Sequence, residues 1–158
     1  MPRRQPRLPP LLAEFDEEER EAVLAANRAF YRAFNDRDID AMEALWAPTG
    51  AMVCLHPGQG PLHERSEILA SWRGILKHPE APSVRCTDEW LVGRPGLALV
   101  VCREILPNVQ LMATNTFVRL SDGWHMAGHH SGPVPSIERT RTVPTPQATP
   151  PKDRRKLH

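Results

Sequence analysis

Three side chains in the second half of this chain could act as a general base. Asp88 stands among apolar neighbours, where burial would raise the pKa of its carboxyl group. Glu104 and His129 lie in later segments that are also rich in apolar residues. A carboxylate or an imidazole within hydrogen-bond reach of a substrate can take up and return a proton. The candidate catalytic residues are therefore Asp88, Glu104 and His129.

A second group of residues could surround these bases with a binding pocket. Small-molecule pockets are mostly apolar and contain a few fixed polar groups. Asn115 could also donate a hydrogen bond to an oxyanion that forms on a substrate. The candidate ligand-binding residues are Asn27, Trp46, His56, Trp72, Trp90 and Asn115.

Each candidate also has a structural interpretation. The tryptophans could be core packing, and His56 could form the turn before Pro57 and Gly58. Asn115 and His129 could simply satisfy each other inside the fold. Asp88 could face solvent after a β-bulge, and Glu104 could pair with Arg103. The sequence leaves these alternatives open.

The hydrophobic pattern predicts the elements that hold these groups. Asp16 and Asp38 are typical N-caps of a first and a second helix, and Ser66 is one for a third helix that ends near Lys77. Apolar runs between turn residues predict five strands. They cover residues 51–56, 83–92, 97–106, 109–120 and 124–131. Short turns join the last four strands, so we expect them to form an antiparallel meander.

Loop lengths predict which residues pair across the meander. A two-residue loop at Pro107 and Asn108 places Val100 opposite Asn115, and Glu104 then shares that face. A three-residue loop at 121–123 pairs Leu120 with Trp124 and places Asn115 opposite His129. We expect the face that carries Glu104, Asn115 and His129 to lie against the helices.

The opposite face of the meander is predicted to be apolar. It carries Leu99, Val101, Met112 and Met126. A monomer would leave this much apolar surface in water, so the pattern predicts a homodimer.

Composition limits the possible functions. The net charge is +1, but residues 16–135 are acidic and both ends are basic. An acidic domain does not suit nucleic acid as its ligand. The Pro-rich segments 1–15 and 136–158 are predicted to be disordered tails around one domain at 16–135.

Other classes of site and location are disfavoured by what the sequence lacks. No apolar run approaches the roughly 18 residues of a membrane span. Residues 1–12 have no apolar stretch typical of a signal peptide, so we expect a cytoplasmic protein. The three cysteines show no CxxC spacing, which argues against a disulfide framework or a zinc site. His129 and His130 would point to opposite faces of a strand. We therefore expect neither a metal nor a cofactor.

Five strings in the sequence resemble one known family. They are Asp38–Trp46, His56–Gly58, Ala70–Trp72, Ala113–Phe117 and Trp124–Pro133. In this order they resemble the SnoaL-like, ketosteroid isomerase-like branch of the nuclear transport factor 2-like superfamily. The resemblance implies a cone-shaped α+β fold in which three helices pack on a strongly bent antiparallel sheet.

The same resemblance leaves three functions open, and whether the protein is an enzyme stays undecided. We expect a ligand-binding or scaffold domain with a cavity for a small apolar or carbonyl-containing ligand, and the other two functions are alternatives. It could be a cofactor-independent isomerase, cyclase or dehydratase that uses a carboxylate or histidine base. It could also be a self-association domain.

Two residues depart from the family pattern. Related isomerases use a tyrosine-containing oxyanion hole, but the single tyrosine here, Tyr31, falls on the first helix, so that catalytic set is not expected. Glu64 stands where glycine is common before the third helix, so the conformation of that loop is open.

Overall fold

The computed structural model describes residues 15–134, which form three helices and five strands. The elements are α1 (Glu17–Asp36), α2 (Ile39–Leu45), β1 (Val53–Leu55), α3 (Arg65–Lys77), β2 (Arg85–Arg94), β3 (Leu97–Ile105), β4 (Gln110–Leu120) and β5 (Gly123–Pro133). The predicted tails lie outside the described residues, except for Phe15. Its ring packs on Trp124 with the centroids 5.7 Å apart, so this residue belongs to the folded domain. No helix within residues 15–134 is long and apolar enough to cross a bilayer.

Side-chain caps fix the starts of the first two helices. Asp16 accepts a hydrogen bond from the backbone N–H of Glu19 at 2.8 Å. Asp38 does the same for Ala41 at 2.9 Å. Both caps are confirmed, and each satisfies a backbone donor that has no partner within its helix.

The predicted cap of the third helix is wrong. The helix begins at Arg65, and Ser66 lies inside its first turn. Glu64 occupies the N-cap position without a side-chain cap bond. Arg65 is held by its Nε–H, which donates to the carbonyl of Ala47 at 3.0 Å. This tertiary contact anchors the start of α3 in place of a cap.

The strands form one curved mixed sheet in the order β1-β5-β4-β3-β2. The last four strands are antiparallel neighbours, as predicted. The first strand departs from the predicted antiparallel sheet, because β1 pairs parallel to β5. The three helices pack on the concave face, and the predicted cone-shaped α+β fold is confirmed.

The predicted register of β3 and β4 is confirmed, with Val100 opposite Asn115 and Glu104 opposite Leu111. Asn115 also lies opposite His129, as predicted. The concave face therefore carries Glu104, Asn115 and His129 together, and all three are buried.

The turn between β4 and β5 differs from the prediction. Leu120 pairs with Gly123 instead of Trp124, and a bulge farther along β5 restores the expected register. Between the turn and the bulge, every side chain of β5 changes face. Met126 consequently lies in the core opposite Phe117 and is fully buried, so it is absent from the convex face.

Candidate active site

A cavity of about 230 Å³ lies between α1, α3 and the concave face of the sheet. Its walls are mainly aromatic and aliphatic, and the polar residues among them are buried except for Gln59 at the mouth. The lining residues are Phe30, Tyr31, Phe34, His56, Pro57, Gln59, Trp72, Ile75, Pro82, Val84, Glu104, Leu106, Leu111, His129 and Ser131.

A larger open groove of about 930 Å³ lies beside this cavity and shares Tyr31, Val84 and Leu106 with it. Its other walls include the exposed side chains of Arg32 and Arg85. The inner cavity is the better candidate for chemistry, because it contains buried titratable groups shielded from water.

Glu104 is the buried carboxyl group of the cavity wall and is 5% exposed. Its Oε1 accepts a hydrogen bond from the hydroxyl of Tyr31 at 2.8 Å. Its Oε2 accepts a hydrogen bond from the hydroxyl of Ser131. Burial raises the pKa of Glu104, and the two hydrogen bonds offset only part of that effect. This carboxylate is thus a stronger base than one in water.

His129 reaches the same cavity from β5 and is 4% exposed. Its Nδ1 lies 2.6 Å from the amide oxygen of Asn115. The amide nitrogen of Asn115 donates to Oδ1 of Asn27 at 2.7 Å and to the hydroxyl of Tyr31 at 3.1 Å. Asn115 therefore turns an acceptor toward the ring, so Nδ1 carries the proton and Nε2 carries a lone pair.

Burial decides the charge of His129. Desolvation lowers the pKa of this imidazole to about 3, and repulsion from His56 and His130 contributes less. The ring is neutral near pH 7 and is a weaker Brønsted base than Glu104. Its role in the cavity is that of a hydrogen-bond acceptor.

His56 follows β1 and faces His129 across the cavity, with the ring centroids 6.3 Å apart. Its Nε2 lies 2.9 Å from the hydroxyl oxygen of Ser71. That hydroxyl donates its own hydrogen to the carbonyl of Ile68 at 2.7 Å. Ser71 can therefore only accept, and Nε2 of His56 carries the proton. Burial also lowers the pKa of His56.

The other predicted pocket residues separate into wall and core. Trp72 lines the cavity, and its ring lies edge-on to His56. Trp46 is fully buried but lies outside the lining, as core packing. Asn27 and Asn115 are completely buried behind the wall. Since both amide hydrogens of Asn115 are engaged, it has none to offer the predicted oxyanion.

Asp88 and Trp90 lie outside the cavity, contrary to prediction. The pairing of β2 shifts after Thr87 because Asp88 and Glu89 together oppose a single residue of β3. Asp88 adopts φ 55°, and its exposed carboxylate pairs with Arg103 at 3.2 Å. This bulge reverses the alternation that follows, so Trp90 points to the convex face and is 38% exposed.

The two residues that donate hydrogen bonds to Glu104, Tyr31 and Ser131, were not predicted as site residues. Tyr31 was set aside because it falls on a helix, but its hydroxyl reaches both Glu104 and Asn115. Asn27 and Tyr31 are four residues apart, which places them on one face of α1. That spacing was the available signal. Ser131 shares its strand face with His129, and its alternation with His129 was a similar signal.

Comparison with known proteins identifies the family. Residues 23–135 match the SnoaL-like domain family. The chain therefore belongs to that family, and the resemblance found in the sequence is confirmed.

Several relatives show how widely the fold is used. One is a protein of the nuclear transport factor 2-like family from Streptomyces avermitilis, provisionally assigned as a dehydratase. Its sequence is 30% identical, and its structure matches with a TM-score of 0.71 over 77% of this chain and 100% of that one. A Thiobacillus denitrificans protein, provisionally assigned as a calcium/calmodulin-dependent protein kinase type II association domain, is 30% identical with a TM-score of 0.65 over 70% and 94% of the two chains. F-box protein SKIP8 of Arabidopsis thaliana is 25% identical over 70% of this chain, which spans only 48% of that relative.

Proposed function

We propose that this domain binds a small, mainly apolar carbonyl compound and catalyses a cofactor-independent proton transfer of the isomerase or dehydratase kind. The observation that carries the proposal is a buried carboxyl group, Glu104, in the wall of a small apolar cavity. A binding domain needs no base beside its ligand, whereas an enzyme of this kind does. The relative from Streptomyces avermitilis, provisionally a dehydratase, supports the same class.

Glu104 is the general base of the proposal. A base works best when its pKa lies close to the pH of the reaction. Burial moves the pKa of Glu104 upward, toward neutrality, and moves that of His129 downward, to about 3. Tyr31 and Ser131 hold the carboxylate in place through one hydrogen bond to each oxygen.

The proposed reaction begins at the carbon next to the substrate's carbonyl group. The carboxylate of Glu104 takes a proton from that carbon, and the C–H electron pair forms an enolate. In a dehydration, a hydroxyl group on the next carbon leaves and takes the proton back from Glu104 as water. In an isomerisation, Glu104 returns the same proton to a different carbon. Either sequence restores the carboxylate.

A β-hydroxy ketone with an apolar ring tests the proposal. The probe 4-hydroxy-4-phenylbutan-2-one would be incubated in D₂O. Deuterium entering next to the carbonyl is measured by NMR, and the conjugated enone by its absorbance. We expect both with the wild-type protein and neither with Glu104→Gln. His130→Gln is the matched control on the exposed side of β5 and should behave as wild type. Equal rates for wild type and Glu104→Gln would contradict the proposal.

We also propose that the domain is a homodimer that associates through the convex face of the sheet. Leu99, Val101 and Met112 are partly exposed there. Trp90 pairs with Val101 and so shares this face. The relative provisionally assigned as an association domain supports self-association on this fold.

Sedimentation at micromolar concentration tests the dimer. The wild type should sediment as a dimer, and Val101→Lys should shift it to monomer. Lys77→Glu, at the end of α3, is the control and should stay dimeric. A single 17.8 kDa wild-type species would contradict this proposal.

A further inference from the structure

A chain of hydrogen bonds that runs from the surface into the core determines which ring nitrogen of His129 carries no hydrogen. It begins at the rim, where Glu89 accepts from Nε of Arg28 at 3.2 Å and from Nδ2 of Asn27 at 2.9 Å. An ionised carboxylate can only accept hydrogen bonds. Asn27 must therefore turn its amide nitrogen to Glu89 and its oxygen to Asn115.

The orientation of Asn27 in turn determines the orientation of the Asn115 amide next to the cavity. Since the oxygen of Asn27 accepts, Asn115 turns its nitrogen toward it at 2.7 Å and its oxygen toward His129 at 2.6 Å. Tyr31 reinforces this orientation, because its hydroxyl donates to Glu104 and can only accept from Asn115. Two carboxylates thus fix His129 with hydrogen on Nδ1 and a lone pair on Nε2.

His56 is fixed in the opposite tautomer by a shorter path. Ser71 gives its hydrogen to Ile68 and accepts from Nε2 of His56. The lone pair of this ring is therefore on Nδ1. Among residues 15–134, neither Nε2 of His129 nor Nδ1 of His56 has a hydrogen-bond partner. Both rings line the cavity, and burial keeps both neutral.

We infer that the cavity is built for a ligand with two hydroxyl or N–H donors on a compact apolar frame, one for each imidazole lone pair. The inference rests on the proposed role of the cavity as the ligand site. Both nitrogens are open to the cavity, since neither is among the buried side-chain atoms that lack a partner within residues 15–134. A ligand that fills the cavity shuts them off from water, and leaving an acceptor unpaired is then costly, so a ligand that supplies donors is favoured over one that supplies only acceptors. The cavity of about 230 Å³ is smaller than the usual drug-sized pocket, which limits the frame to about one ring.

Three probes with one frame test the donor requirement. Resorcinol has two hydroxyl donors, 3-methoxyphenol has one, and 1,3-dimethoxybenzene has none. Dissociation constants would be measured by NMR titration of the full chain. We expect resorcinol to bind most tightly and each lost donor to weaken binding by roughly tenfold. His129→Phe should abolish most of the advantage of resorcinol over 3-methoxyphenol, whereas His130→Phe should keep it.

A second measurement needs no ligand. In two-bond ¹H–¹⁵N spectra, His129 should show the Nδ1–H tautomer and His56 the Nε2–H tautomer. The opposite tautomer in either ring would overturn the inference, as would equal affinity for the three probes or no binding of resorcinol at millimolar concentration. The probes contain no carbonyl group, so their binding order does not depend on catalysis. An inactive protein that keeps this order would remove the proposed reaction and leave the inference standing.

Discussion

Replacing Asn115 with alanine should destabilise the domain strongly. Asn115 is completely buried and engages three side chains: Asn27 at 2.7 Å, Tyr31 at 3.1 Å and His129 at 2.6 Å. Asn115→Ala leaves the amide oxygen of Asn27 and the Nδ1–H of His129 without partners. Each buried polar group that loses its partner costs about 1–3 kcal/mol, so the loss should be at least about 2 kcal/mol. Because Asn115 lies behind the cavity wall, water cannot easily replace it.

Urea unfolding followed by tryptophan fluorescence measures this loss. Thr114→Ala, one residue earlier on the convex face, is the control and should cost less than about 1 kcal/mol. Combining Asn115→Ala with His129→Ala should cost clearly less than the sum of the two single changes, because no orphan then remains in the pair. A loss below about 1 kcal/mol for Asn115→Ala, or strict additivity, would refute the reasoning from buried partners.

Three further predictions concern titration and packing. The pKa of Glu104 in the folded protein is raised above 4.5, so the free energy of unfolding should fall as the pH rises from 4.5 through that raised pKa. Glu104→Gln should remove this fall, as measured by urea titrations at several pH values. The pKa of His129 in the folded protein is lowered from 6.5 to about 3, so the free energy of unfolding should also fall as the pH drops from 6.5 to about 3, by up to about 1.4 kcal/mol per pH unit. His129→Gln should make the free energy of unfolding less dependent on pH in this range. Gly93→Ala should lower the melting temperature because its methyl group would overlap the ring of Phe15, whereas Gly74→Ala, in open space on α3, should raise stability by about 0.5–1 kcal/mol.

The helices and the pairing of β3 with β4 were predictable because local signals define them. Asp16 and Asp38 are caps that act within three residues of themselves. The loop at Pro107 and Asn108 fixes one register for two long strands, and every pair follows from it. The start of α3 was not predictable in the same way, since Arg65 is anchored by a residue eighteen positions away.

The pairing of Asn115 with His129 was predicted correctly, although the turn that led to it was wrong. The turn is one residue shorter than predicted, and a bulge later adds the missing residue. Two errors of one residue cancel at His129 but not at Met126, which lies between them. An alternating pattern gives the face of a strand only up to its first bulge.

The bulge in β2 links the interior of the domain to its surface. Simple alternation would have turned Asp88 and Trp90 inward and Glu89 outward. The extra residue instead turns Glu89 toward α1, where it holds Asn27 and starts the hydrogen-bond chain that ends at His129. The same change of alternation places Trp90 on the convex face beside Val101. One local irregularity therefore contributes to the tautomer of His129 in the cavity and adds the ring of Trp90 to the proposed dimer surface. A bulge at Asp88 was one of the alternatives that the sequence left open, but the contacts of Glu89 with Asn27 and Arg28 join residues about sixty positions apart, and no pattern within β2 could reveal them.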